Sequence, residues 1–438
     1  GYWGNKEVRI TAISEYGFQT RLAAPATAEQ KNAPWELAFY DQKTAAYQRI
    51  LLRDATFLKE KEEDFDVVYT FATEQEDYRN AVQHLALQYS QYIRWKMEDD
   101  DAALAEQMTG YPAEQDAFHL ESLEEQKKVW FSGITKETFV ALQNSAAGSG
   151  QPIELALELD RPEWYEAYLS MESAVFFDVY FRRNQIPDPP VFHPDRLYIG
   201  NAFCPHLAPT EEELFALMDK ACRESFAVTL VFPFLLEENL SETQARLQHL
   251  ARWCEQKNKT IEIVVNDWGT AHLAAQFPVF SLCLGVLLNK RKKDPRMAYK
   301  LGDSMLFEQN SVHAAFYREY LKEEFRMERY EWESCGDISV RKFPEWKNSM
   351  HLPFYQTNTS QYCPMYATCV KGSRGAQVLV RKCPRFCEEQ AFLYPEHLRM
   401  MGRYNSLFGM NLTVLQDSET IGKMYGLRGI DRIVVNLL

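Results

Sequence analysis

Several motifs that identify common enzyme classes are missing from the sequence. It contains no HExxH zinc-protease motif, no GxSxG nucleophile elbow, no Walker A loop and no glycine-rich dinucleotide fingerprint. A CxxxCxxC run is also missing, which disfavours a standard radical-SAM enzyme. The chain therefore offers no recognisable protease machinery and no recognisable phosphate-binding loop.

The sequence also lacks the features of membrane, secreted and nucleic-acid-binding proteins. No stretch reaches about 18 apolar residues, so we predict no transmembrane helix and no membrane contact. No basic-then-apolar leader is present, and the cysteine count of nine is odd, which argues against a disulfide framework. We therefore expect a cytoplasmic protein, in which clustered cysteines more often bind metal or do redox chemistry. The net charge of −14 disfavours nucleic acid as the main ligand.

From Arg196 onward, short apolar strands alternate with amphipathic helices. The strand candidates are RLYIG (196–200), FAVTLVFPF (226–234), TIEIVVND (260–267), VFSLCLGVLL (279–288), RMERYEWES (326–334), MHLPFY (350–355), MNLTVLQ (410–416) and DRIVVNLL (431–438). Such alternation predicts parallel βαβ units. About eight strands fit an α/β fold with a C-terminal TIM-like (β/α)8 barrel. A doubly wound sheet is the alternative.

The first 190 residues are predicted to form an N-terminal α+β accessory domain, β-rich and then helical. Strand candidates over 7–13, 18–24 and 64–72 precede a helix over 76–98 with one apolar stripe. ELALELD (154–160) is a further strand candidate. The proline-rich segment 187–194 cannot continue a helix or a strand. We therefore place the boundary there, with domains 1–190 and 191–438.

Four of the nine cysteines cluster late in the chain, at Cys363, Cys369, Cys383 and Cys387. In a barrel, Cys204 would follow an early strand, and the late cysteines would follow MHLPFY. Loops after parallel strands converge at one end, so these two distant segments could bring thiols to the same mouth. Four thiolates suit either zinc or an iron–sulfur cluster. Cysteines inside predicted helices or strands are better explained as small buried hydrophobes: Cys222, Cys254 and Cys283.

The motifs YIGNAFC, IVVNDWG, SQYC and CPRFC, in that order over residues 196–438, resemble the U32 peptidase family. The likeness is to its iron–sulfur members, which include oxygen-independent hydroxylation proteins of ubiquinone synthesis. The resemblance implies a TIM-like barrel with a [4Fe–4S] cluster on Cys204, Cys363, Cys383 and Cys387. Cys369 departs from the pattern as an extra candidate that could replace Cys363. Zinc is the alternative cofactor.

Two further candidate sites follow predicted strands. Asp267 could act as a general acid or base and Trp268 could wall a pocket, because both lie where barrels carry catalytic groups. The alternative is a turn, since Asn-Asp and Gly269 are turn formers. A basic run in this acidic chain could contact an anionic substrate, an RNA backbone or an acidic partner, or could simply be solvated: Lys290, Arg291, Lys292 and Lys293.

The resemblance implies an iron–sulfur protein that takes part in an oxygen-independent hydroxylation or another redox modification. One alternative is a non-catalytic interaction protein with a structural metal site, and another is a peptidase. The partner would be a related barrel protein, forming a heteromer, or a modification target.

Overall fold

The structure is a computed structural model that describes residues 1–41, 46–63, 66–97, 118–134, 136–147, 153–186, 193–291, 293, 309–335, 346–394 and 399–438. It divides into two compact units, which hold the described residues up to 97 and those from 118 onward. The boundary predicted at residues 187–194 falls inside the second unit, although residues 187–192 lie outside the described ranges. Among the described residues, no helix is both long enough and apolar enough to cross a membrane.

The N-terminal unit is built from two four-stranded antiparallel sheets around one core. In spatial order, the first sheet contains Lys6–Glu7, Tyr2–Trp3, Trp35–Asp41 and Ala46–Leu52. The second contains Arg9–Ser14, Gly17–Leu22, Val67–Ala72 and Thr56–Glu62. Trp3 stacks on Trp35 with ring centroids 4.9 Å apart, and Phe71 of the second sheet meets Trp3 edge-on at 5.2 Å. Aromatic side chains of the two sheets therefore bury one another.

A long helix, Glu76–Met97, completes this core, and a short helix, Ala28–Lys31, lies between strands. Tyr78, Ala81 and Val82 on the long helix are buried, as its apolar stripe predicts. The Tyr78 hydroxyl donates to the carbonyl oxygens of Ser14 and Gly17, both at 2.7 Å. The prediction of a β-rich N-terminal domain is confirmed.

The second unit contains a closed barrel of eight parallel strands, which confirms the predicted TIM-like fold. In chain order the strands are Glu154–Leu159, Arg196–Gly200, Ala227–Val231, Ile261–Val265, Phe280–Leu284, Arg329–Glu333, Lys347–Thr359 and Arg432–Asn436. Each strand pairs with the next, and the eighth pairs with the first to close the ring. The described helices around it are Leu120–Trp130, Lys136–Ala147, Pro162–Ser170, Ser173–Arg183, Glu211–Arg223, Leu240–Lys257, Trp268–Ala274, Ala315–Phe325, Pro364–Lys371, Thr413–Gln416 and Ser418–Leu427.

The barrel uses a different set of strands from the predicted one. Its first strand is Glu154–Leu159, which lies in the region predicted to be accessory. Segment 410–416, predicted as a barrel strand, instead ends an antiparallel strand and forms the helix Thr413–Gln416. Both segments are short and apolar, and such runs do not reveal which partner strand will pair with them.

The seventh strand continues past the barrel rim. Its last part, from Phe354 to Thr359, pairs antiparallel with Ser406–Met410. Met400–Arg403, Gln390–Leu393 and Phe118–His119 then extend this antiparallel sheet in that order. The described residues between 360 and 412, here called the mouth insertion, therefore stand over the end of the barrel where the strands finish.

The barrel interior is charged near the strand starts. Arg432 donates from Nε to Glu154 at 2.6 Å and from Nη1 to Glu262 at 2.7 Å. Arg196 also pairs with Glu154, at 2.7 Å. Burial alone would raise the pKa of Glu262, but the hydrogen bonds and charge of Arg432 outweigh it and lower that pKa to about 2. Ion pairs thus replace apolar packing in this layer.

We predict that Glu262→Gln lowers the free energy of unfolding by about 3 kcal/mol at pH 7. A carboxylate whose folded pKa is depressed stabilises the fold above its ordinary pKa of 4.5 and loses that contribution as pH falls toward 2. Denaturant unfolding over a pH series should therefore show the wild type and the variant converging in acid. Glu419→Gln, in an exposed pair with Lys423, should change stability by about 0.5 kcal/mol or less. If the free energies of unfolding of the wild type and Glu262→Gln differed by the same amount at every pH, the prediction would be contradicted.

Candidate functional site

Cys204 is held in a fixed loop just after the second barrel strand. The Asn201 side-chain oxygen accepts hydrogen bonds from the backbone amides of Phe203 and Cys204, both at 2.8 Å. The Asn201 side-chain nitrogen donates to the carbonyl oxygen of Asp160 at 2.9 Å. One asparagine therefore anchors this loop to the end of the first strand, and the Cys204 thiol is buried there.

Three more cysteines come from the mouth insertion. Cys363 precedes the helix Pro364–Lys371, and its Sγ accepts a hydrogen bond from the Tyr366 amide at 3.5 Å. Cys383 and Cys387 flank a tight turn in which Arg385 adopts a left-handed conformation, with φ of 59°. The amide of Arg385 donates to the Cys383 Sγ at 3.3 Å. Backbone amides thus already point at two of the sulfurs, as they do at ligand thiolates.

Direct hydrogen bonds join the mouth insertion to the Cys204 loop. The Asn405 side-chain nitrogen donates to the carbonyl oxygens of Phe203 at 2.6 Å and Ser360 at 2.7 Å. His206 Nε2 lies 2.8 Å from the carbonyl oxygen of Val380, so Nε2 carries the proton and donates. Hence His206 links the two loops in the structure.

The four thiols lie within electrostatic reach of one another. Burial raises the pKa of Cys204, and the neighbouring Cys387, Cys363 and Cys383 raise it further. Burial also raises the pKa of Cys387 to about 12, with Cys363 and Cys383 adding to the effect and Arg403 opposing it. Two segments that are remote in the sequence therefore place four sulfurs at one end of the barrel. Without a positive centre between them, these thiols stay protonated at neutral pH.

Cys369 has a different environment from the other four. Its side chain is exposed, and its Sγ donates to the side-chain oxygen of Gln390 at 3.0 Å. It affects the pKa of Cys363 but is not among the main groups that shift the pKa of Cys204 or Cys387. The geometry therefore favours Cys363 over Cys369 as a ligand.

The described residues do not form a ready-made site for a single metal ion. Within the described ranges, no three His, Cys, Asp or Glu side chains form a group that could hold one metal ion as they stand. Tetrahedral zinc requires four sulfurs that each lie about 2.3 Å from one centre. Zinc binding would therefore require side chains at this site to move.

Asp267 caps a helix with both carboxylate oxygens. Oδ1 accepts from the Thr270 amide at 2.9 Å, and Oδ2 accepts from the Thr270 hydroxyl at 2.7 Å and from the Leu235 amide at 3.1 Å. The helix that it caps is Trp268–Ala274. Trp268 stacks on Phe325 with ring centroids 5.5 Å apart. Asp267 therefore has the local role that the turn interpretation describes.

Asp267 and Trp268 nevertheless share a cavity with part of the basic run. The cavity has a volume of about 1040 Å³ and is lined by Lys290, Arg291 and Lys293 as well. The Lys293 ammonium is already paired with the Glu333 carboxylate and the Gln356 side-chain oxygen. Lys292 lies outside the described residues. Two candidate sites that are separate in the sequence therefore line one cavity in the fold.

His351 is a buried group that lies between two glutamates. Its Nε2 lies 2.8 Å from Glu331 Oε2, and its Nδ1 lies 3.7 Å from Glu158 Oε2. Burial alone would lower the pKa of His351, but the two glutamates outweigh it and raise that pKa to about 10. The available sequence signal is the glutamate inside each of the strands ELALELD and RYEWES. A charged residue at an inward strand position needs a buried partner.

Comparison with protein-family models, with curated proteins and with solved structures finds no match to this chain.

We predict that Asp267→Ala lowers the free energy of unfolding by about 1–2 kcal/mol, because the helix loses its cap. Asp267→Asn should retain most of the stability, since asparagine also caps helices well. Denaturant unfolding of both variants measures the difference. An Ala variant as stable as the wild type would show that the carboxylate does not hold this turn.

Proposed function

We propose that the barrel mouth holds a [4Fe–4S] cluster on Cys204, Cys363, Cys383 and Cys387. The observation that supports this proposal is the mutual influence of the four thiols on their pKa values, across two loops that are remote in the sequence. Protein ligands of such clusters are cysteine thiolates, usually four. The U32 resemblance of the sequence agrees with this ligand set.

The residues present fit a cluster better than a zinc ion. Zinc needs four ligands drawn around one atom, and the described residues contain no such ready-made group. A four-iron cluster is a larger body that binds one thiolate at each corner, so it fits a wider set of sulfurs. Donors to sulfur are also in place, from the amides of Tyr366 and Arg385. Such hydrogen bonds are among the factors that tune a cluster's potential.

We further propose that the protein takes part in a redox modification, of which oxygen-independent hydroxylation is the example that the resemblance suggests. A bound cluster would supply electron transfer. The chain itself supplies a cavity of about 1040 Å³ at the mouth, walled by Trp268 and with Lys290 and Arg291 in its lining. This cavity would bind the substrate, or an anionic part of a modification target or partner. His351 is a protonated group within the same barrel.

A structural metal site is the second candidate. It is favoured because direct side-chain bonds from Asn405 and His206 already link the two cysteine loops. A metal would add a stronger link of the same kind, because ligation energy contributes directly to folding. Under this reading the protein recruits a partner and does no chemistry itself.

We predict that protein purified without oxygen contains about four irons per chain and absorbs broadly in the visible range. Cys204→Ser and Cys387→Ser, one from each loop, should both lose iron and acid-labile sulfide. Cys369→Ser is the matched control, because it changes an exposed cysteine of the same insertion, and it should retain the iron.

Three results would contradict the cluster. Colourless protein with about one zinc per chain would favour the structural site instead. Unchanged iron in both Cys204→Ser and Cys387→Ser would remove those residues from the ligand set. Peptide cleavage that survives metal removal would favour a peptidase.

A further inference from the structure

Arg403 is a buried cation without a counterion among the residues that the structure describes. Its residue is 3% exposed, and its Nε is buried with no hydrogen-bond partner. Over the ranges that the structure describes, its guanidinium forms no ion pair or hydrogen bond. Its one close aromatic contact is the ring of Tyr404, whose centroid lies 5.3 Å from the Arg403 Cζ. A neighbouring ring stabilises a cation much less than an anion does.

Arg403 lines a cavity of about 650 Å³ that also touches Cys387. This volume is within the range of about 300–1,000 Å³ that is usual for small-molecule sites. The other arginines that line it are each neutralised by a carboxylate: Arg161 with Asp160 at 2.9 Å, Arg183 with Glu163 at 2.8 Å and Arg385 with Glu388 at 3.1 Å. Arg403 is therefore the cavity arginine whose charge has no partner in the described protein.

A buried guanidinium without an anion is costly, because its hydration is lost and nothing replaces it. Arg432 in the same barrel is also buried, but its charge is neutralised by the carboxylates of Glu154 and Glu262. The absence of such a partner at Arg403, beside an open cavity, is explained if a ligand supplies the anion.

The lining also indicates what kind of anion this is. Pro162, Ala167, Met171 and Leu207 give the cavity an apolar wall. Three glutamates line it as well and would repel a doubly charged phosphate more than a singly charged group: Glu163, Glu166 and Glu388. The planar fork of arginine matches a carboxylate with two parallel hydrogen bonds.

We infer that this cavity binds an organic acid, with its single carboxylate on Arg403 and an apolar body against the wall. The site lies beside Cys387, so the acid would be the substrate or an effector of the proposed redox reaction. Binding itself depends on Arg403 and the cavity and does not require the cluster.

Calorimetric titration of the anaerobically purified protein tests the inference. Hexanoate should bind, and hexanamide of nearly equal size should bind at least about tenfold more weakly, because hydrogen bonds to charged groups contribute most of the affinity. Inorganic phosphate should also bind more weakly than hexanoate, because the glutamates of the lining repel its second charge. Acetate should bind more weakly than hexanoate, because it leaves the apolar wall uncovered.

Two variants locate the binding. Arg403→Gln should weaken hexanoate binding by about tenfold or more. Arg182→Gln removes the same charge from a nearby exposed ion pair outside the cavity. This variant should bind hexanoate with an affinity within about twofold of the wild type. Equal affinity for hexanoate and hexanamide in the wild type would overturn the inference, whether or not Arg403→Gln folds. So would unchanged binding in a folded Arg403→Gln variant.

Iron content measured on anaerobically purified samples of the same proteins separates the two proposals. If the protein contains no iron but still binds hexanoate, the cluster proposal fails and the acid-site proposal remains supported. Four irons per chain with no hexanoate binding would overturn the acid site alone.

Discussion

The hydrogen bonds that close the barrel are the constraint on which the rest of the second unit depends. Glu154 on the first strand pairs with Arg432 on the eighth, and Leu155 pairs with Ile433. All eight strands run parallel around the closed ring, so every loop that follows a strand emerges at the same end. The Cys204 loop and the mouth insertion meet there for this reason. Sheet closure, rather than local sequence, gives the cysteines a common site.

Closure also sets the electrostatics of the interior. Inward positions that would be apolar in an ordinary barrel hold Arg432, Glu262 and, further along, His351. Water does not solvate these groups, so each needs a partner on another strand. Arg432 and His351 have such partners, and their strands are fixed in register by them. Arg403 differs because it lies beyond the closed ring, on the antiparallel sheet of the mouth insertion, where the described protein provides no carboxylate.

The extended seventh strand connects the scaffold to the site. Because Lys347–Thr359 belongs to the barrel at one end and to the antiparallel sheet at the other, the insertion is built directly on the barrel wall. Asn201 and Asn405 then fix the two loops by side-chain bonds to backbone carbonyls and amides. Amides suit this position because they both donate and accept without adding charge near the thiols.

The sequence was enough to predict the fold class and to predict that the candidate cysteines follow strands. Alternating apolar strands and helices predicted the barrel, and the positions of Cys204 and Cys363 after strands predicted that they lie at its mouth. These inferences hold because local periodicity and strand ends are local properties. Only the tertiary structure shows that Glu154–Leu159 is the first barrel strand, that Cys369 is exposed, and that Arg403 has no ion-pair partner among the described residues. Those facts depend on which distant segments pair, and the spacing of residues along the chain does not record that choice.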